Sequence, residues 1–150
     1  MIEPHRFSVR VSTGGRELAT AYARTHRVEI GLSLSFDAEY PAVTALEQVL
    51  GAIGADLCCG LQRLAKLRRL EVDEVEAVVQ AELDNPLVHL GVLGEEGSPE
   101  MKKVSIKVYV GSLEDESSLR ALLAETRTRS PLLRTFEKAV ALELEMRVVM

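Results

Sequence analysis

The chain has 150 residues, with 18 Lys and Arg against 23 Asp and Glu, for a formal charge of −5. A chain of that length reads as one domain, residues 1–150, which buries about 70% of its unfolded surface and so has room for a core. Its acidity leaves no basic footprint for nucleic acid, and three Tyr, three Phe and no Trp offer little for base stacking.

Elements follow in chain order from the hydrophobic period. Phe7, Val9 and Val11 alternate with Ser8, Arg10 and Ser12, and Gly14-Gly15 then reads as a hairpin turn. Glu17 to Arg24 reads as the return strand. Val28, Ile30, Leu32, Leu34 and Phe36 keep a period of two, which predicts a long third strand. After Pro41 the period changes. Residues from about Ala42 to Arg69 carry no proline and place apolar residues at helical spacing, so one long helix is expected. Arg63, Lys66, Arg68 and Arg69 suit the negative end of its dipole. Val75 to Leu83 alternates again and ends at Asn85-Pro86. Leu93 to Met101 reads as a loop, and Val104 to Val110 as a strand. Asp115 to Thr126 is an amphipathic helix with Leu119, Leu122 and Leu123 inward. Ser130-Pro131 opens a further helical turn, and Leu142 to Val148 is a final strand. The order β-β-β-α-β-β-α-(α)-β, joined mostly by hairpin-like connections, gives an α+β class with mostly antiparallel sheet.

The long helix poses a packing problem. From Val49 to Leu61 it is apolar nearly all round, so every face needs cover. It also holds Gly51, Gly54 and Gly60, each costing about 1 kcal/mol against alanine in a helix interior. Close approach of another backbone justifies such glycines, and the expectation is that the helix packs against its copy in a homodimer.

The two cysteines, Cys58 and Cys59, are adjacent. Neighbours cannot staple distant parts of the chain, so a secreted disulfide scaffold is excluded. His5, His26 and His89 are scattered, no CxxC pair exists, and no metal site or cofactor is implied. Met1 to Arg10 carries Glu3, Arg6 and Arg10 and does not read as a signal peptide. The apolar run Val49 to Leu61 is too short to span a bilayer and contains Asp56. The expected compartment is the reducing cytoplasm, with no membrane partner.

Three short motifs, in their order, resemble one family. The segment Ala45-Leu-Glu-Gln-Val-Leu-Gly-Ala-Ile-Gly-Ala-Asp-Leu-Cys58 is similar to the helix start "P-x-E-x-L-L-A-A-L-G-A-C-L" of the OsmC/Ohr family, the osmotically inducible and organic hydroperoxide resistance proteins. Arg129-Ser-Pro-Leu-Leu-Arg-Thr-Phe136 resembles its "C-P-V-x-x-T-L" segment. Ser12-Thr-Gly-Gly-Arg16 resembles the "T-G-G-R" loop of its hydroperoxide-resistance branch. The resemblance covers most of the chain. It implies an intertwined homodimer in which sheets from both subunits wrap two central helices. It also implies a stress-response chemistry, in which a helix cysteine reduces an organic hydroperoxide and a second cysteine resolves the sulfenic acid. An arginine and a glutamate shape the relatives' pocket, which points to Arg16 and Glu47 here.

The chain departs from that pattern at both redox positions. The first holds Asp56 and the second Ser130. A carboxylate forms no sulfenic acid and a serine hydroxyl resolves none. Two readings follow. One is a family scaffold with a pocket between subunits, at Arg16, Glu47, Asp56 and Ser130, for a small apolar or peroxide ligand. The other is a variant thiol peroxidase using Cys59, which lies one turn after Asp56, or Cys58. Against the second stands the common role of free cysteine as a small core residue. Asp56 in an apolar helix needs a partner, and Arg16, Arg63 or a group of the second subunit are the candidates. Glu47 also reads as a first-turn carboxylate favourable to the dipole, and Ser130 as an N-cap ahead of proline.

Overall fold

A computed structural model describes residues 2–150. The chain divides into two compact units, residues up to 49 and residues 50–150. The first holds an antiparallel sheet of β1 (Arg10–Ser12), β2 (Ala19–Ala23) and β3 (His26–Ile30) in that order. The Gly14-Gly15 turn joins β1 to β2, and both glycines take positive φ, +55° and +80°, which favours glycine. Arg10 stacks 4.3 Å over the ring of Tyr22, its partner in register.

The third strand is shorter than its sequence pattern. Pairing ends at Ile30 because the following backbone groups are claimed locally. The Gly31 N–H donates to the Val43 carbonyl at 2.7 Å and the Leu32 N–H to the Tyr40 hydroxyl at 2.9 Å. Tyr40 lies so close that a Cβ on Gly31 would sit 2.6 Å from its oxygen. Alternation therefore continues to Phe36 without a ladder to join.

Helix α1 (Ala45–Leu67) begins in a capping box. The Glu47 N–H donates to Thr44 Oγ1 at 3.2 Å, and the Thr44 N–H and hydroxyl donate back to Glu47 Oε1 at 3.0 and 2.8 Å. Thr44 is buried, so Thr44→Ala should cost about 1 kcal/mol, read as a lowered urea midpoint at unchanged slope.

The second unit contains most of α1 and a sheet in the order β4 (Glu74–Leu83), β5 (Met101–Gly111), β6 (Ala141–Val149). Its strands alternate one buried face with one wet face, as expected for a sheet covered on one side. Val104, Ile106, Val108 and Val110 of β5 are sealed, with Ala81, Val79, Ala77 and Val75 opposite on β4 and Leu142, Leu144, Met146 and Val148 on β6. Over these rows lie Ile53, Leu57, Leu61 and Leu64 of α1 and Leu119 and Leu122 of α3 (Glu116–Arg129), all buried.

β4 and β5 are antiparallel, whereas β5 and β6 are parallel. A parallel pair needs a crossover, which α3 and α4 (Pro131–Phe136) supply between Gly111 and Ala141. Among the described residues the two sheets together hold three antiparallel strand pairs and one parallel pair, which turn signals alone do not reveal. Asn85-Pro86, read from sequence as a strand end, also caps the short helix α2 (Pro86–His89), since the Leu87 N–H donates to Asn85 Oδ1.

Two of the helix glycines have reasons within the chain. A Cβ on Gly54 would sit 3.1 Å from Val79 Cγ2, and one on Gly60 3.3 Å from Thr126 Cγ2 of α3. Those glycines let the sheet and α3 approach α1, where the sequence reading assigned them to a second copy. A Cβ on Gly51 would meet nothing within 4 Å. In the single chain α1 is not covered all round, and Gly51, Ala52, Ala55 and Cys59 are exposed.

Candidate functional site

Helix α1 and the turn between α3 and α4 bring Asp56 and Ser130 into direct contact. Ser130 ends α3 and caps α4. Its side chain accepts from the Leu133 N–H at 3.1 Å, and Pro131 at the first helical position fixes the entry. The Ser130 hydroxyl donates to Asp56 Oδ2, and the Leu132 N–H donates to the same oxygen at 3.1 Å. Asp56 is therefore satisfied by a hydroxyl and a backbone amide, not by an arginine. The sequence reading had named Arg16, Arg63 or a second subunit as its partner.

Asp56 and Ser130 line a cavity of about 280 Å³, together with Arg63, Leu64, Thr126 and Arg129. Arg63 lies seven residues after Asp56, which on a helix is two turns along nearly the same face. It makes no ion pair among the described residues. Arg129 pairs with Glu125 at 2.8 Å, and Glu125 also binds Arg68. The bond from Arg68 holds the Glu125 carboxyl below its ordinary range. The sequence reading gave Arg129 no part in the site and took Arg63 as a cation at the helix end and a possible partner of Asp56. The available signals were the two-turn spacing from Asp56 and the place next to Ser130.

The cysteines line a different, more open hollow of about 470 Å³ with Gln62, Arg63, Lys66 and Val75. Both are free thiols; Cys58 is half-buried and Cys59 exposed. Burial pushes the Cys58 thiol up, and Cys59 and Glu76 add to the rise, so Cys58 is a poor thiolate. Arg63 is common to both hollows, but the cysteines do not line the Asp56 cavity.

Arg16 and Glu47 belong to the N-terminal unit and are engaged there. Arg16 lies 3.8 Å from Glu29 and donates to Thr20 Oγ1 at 3.4 Å. It lines a surface hollow with Tyr22 and Arg27. Glu47 is held by Thr44, whose backbone and hydroxyl bonds keep its carboxyl below the usual value. No group of three or more His, Cys, Asp or Glu among the described residues has the arrangement of a metal site. No helix among them is long and apolar enough to cross a membrane.

Comparisons with known proteins agree with this architecture. The chain resembles an OsmC-like protein from Mycoplasma pneumoniae at 10% identity and a TM-score of 0.81, covering 99% of this chain and all of that one. It resembles a hypothetical protein from Aquifex aeolicus at 14% identity and 0.76, covering 97% and 98%. It is also similar to the organic hydroperoxide resistance protein OhrB of Bacillus subtilis at 16% identity and 0.61, covering 94% and 98%. At such identities the likeness speaks for the fold alone. No curated protein matches the chain in sequence. The family description "OsmC-like protein" matches residues 36–145, more than two thirds of the chain, and with it the helix, most of the sheet of the second unit and the Asp56–Ser130 contact fall inside one family's frame: the chain belongs to the OsmC-like family.

Proposed function

We propose that this OsmC-like chain has left the two-cysteine hydroperoxide chemistry of its relatives and serves as a homodimeric scaffold whose Asp56–Ser130 cavity binds a small ligand. One observation carries the reading. At the two positions that match the redox motifs, a serine hydroxyl donates to a carboxylate. Neither oxygen passes through a sulfenic acid or a disulfide. The contact keeps the structural link between α1 and the start of α4 and gives up its electron chemistry. The exposed small residues Gly51, Ala52, Ala55 and Cys59 supply a face on which a second copy packs closely. Free thiols at Cys58 and Cys59 suit a reducing cytoplasm.

A second reading has its own observation. Cys59 is exposed and shares its hollow with Arg63 and Lys66. A one-cysteine peroxidase resolved by an external thiol would use it.

Consumption of cumene hydroperoxide with dithiothreitol separates the two. The expected result is no turnover above the reagent background, unchanged in Cys58→Ser and Cys59→Ser. Turnover that disappears in Cys59→Ser would overturn the ligand-binding reading and establish the thiol one. Sedimentation should give twice the chain mass, and a monomer at micromolar concentration would remove the dimer from the proposal.

A further inference from the structure

The lining of the Asp56 cavity constrains the chemistry of what it holds. This inference rests on the ligand-pocket reading above and deepens it. Two guanidinium groups, Arg63 and Arg129, line the cavity against one carboxylate, Asp56. Arg63 has no carboxylate partner among the described residues, and the Glu125 that pairs with Arg129 is shared with Arg68. The cationic side of the cavity is thus incompletely neutralised, and a carboxylate is the planar anion that a guanidinium fork matches.

The Asp56 carboxylate has the opposite need. Both of its bonds, from the Ser130 hydroxyl and the Leu132 N–H, fall on Oδ2. Oδ1 stays free to accept, and a bare anion placed there would be repelled. A ligand must therefore bring a donor to Asp56 and a negative charge to the arginines. Leu64, Leu67 and Pro131 supply apolar wall. The volume of about 280 Å³ lies at the small end of ligand pockets, which suits a short chain.

We propose that the cavity takes a small organic hydroxy acid, with its carboxylate at Arg63 and Arg129, its hydroxyl donating to Asp56 Oδ1, and its aliphatic chain along Leu64, Leu67 and Pro131. An uncharged organic hydroperoxide brings an O–H donor for Asp56 but no negative charge for the arginines, so it meets only one of the two requirements.

The test titrates the full chain with three probes of equal length: 6-hydroxyhexanoate, hexanoate and 1,6-hexanediol. Amide shifts of Ser130 and Leu132 report occupancy, because Leu132 donates to Asp56. The hydroxy acid is expected to bind about tenfold more tightly than the diol, the scale of one hydrogen bond to a charged group, and more tightly than hexanoate. Arg63→Gln should bring the hydroxy acid down to the diol's affinity. Arg63 is exposed, so this variant should keep the parent's melting temperature, which is the check that it is folded. Equal binding of the acid and the diol by the parent, or an undiminished preference in Arg63→Gln, overturns the hydroxy-acid assignment and leaves the cavity as a ligand site. If all three probes leave the Ser130 and Leu132 amides unmoved at tens of millimolar, the pocket reading itself falls, and this inference with it.

Discussion

Leu61→Ala is expected to remove about 2–5 kcal/mol of unfolding free energy. Leu61 is fully buried in the C-terminal half of α1, in the same sealed core as Leu57, Ile106 and Leu119. Truncation loses the transfer energy of its methyl groups and leaves a void that the packed sheet and helices fill only in part. Domains of this size are stable by about 5–15 kcal/mol, so the loss is a large fraction of the total. Leu67→Ala, at a side chain with 62% exposure, is the matched control and should stay within about 0.5 kcal/mol. Urea unfolding at one fixed protein concentration is the appropriate measurement, because self-association would make stability depend on concentration. A Leu61→Ala variant as stable as the parent would mean that α1 does not seat on the sheet as described.

Asp56→Cys with Ser130→Cys, built on a Cys58→Ser and Cys59→Ser background, should create a peroxide-reactive thiol pair where the parent has none. One thiolate attacks the hydroperoxide, releasing the alcohol and leaving a sulfenic acid. The second thiol displaces water from it and closes the disulfide. One equivalent of cumene hydroperoxide should therefore consume both thiols, and dithiothreitol should restore them. Arg63 and Arg129 line the same cavity and favour the thiolate. The double variant loses the bonds that Asp56 takes from Ser130 and Leu132, so a drop of about 1–3 kcal/mol in stability is expected alongside the gain. Retention of both thiols after peroxide treatment of the folded variant would show that these positions are not the equivalents of the relatives' redox pair.

Much of the fold lies in local pattern. Period-two runs marked β4, β5 and β6, the Gly14-Gly15 turn placed β2 as a return strand, and the change of period after Pro41 marked α1. The bounds differ where backbone bonds are claimed from outside the local window. Val28 to Phe36 alternates throughout, but Val43 and Tyr40 take the groups at Gly31 and Leu32, and the strand ends at Ile30. Short elements fared similarly: β1 occupies only Arg10–Ser12, and α2 follows a proline that reads equally well as a strand end.

The candidate site divides along the same line. The reading of Asp56 and Ser130 as counterparts of the family's redox positions came from motif resemblance, which compares residues along the chain. The cap at Ser130-Pro131 and the first-turn placement of Glu47 are also local, and the structure has both. Which group satisfies Asp56 was beyond the sequence. Its partners, Ser130 and Leu132, lie 74 and 76 residues away, and only the crossover through α3 and the start of α4 brings them to α1. The glycines behaved likewise. Helical spacing shows that Gly54 and Gly60 need a close neighbour, but only the folded chain identifies Val79 and Thr126 as those neighbours. Sequence determined most of the elements, since these follow from period and residue type. Tertiary structure decided the contacts, because a hydrogen bond or a Cβ clearance depends on the distance that the whole fold sets between residues far apart in the chain.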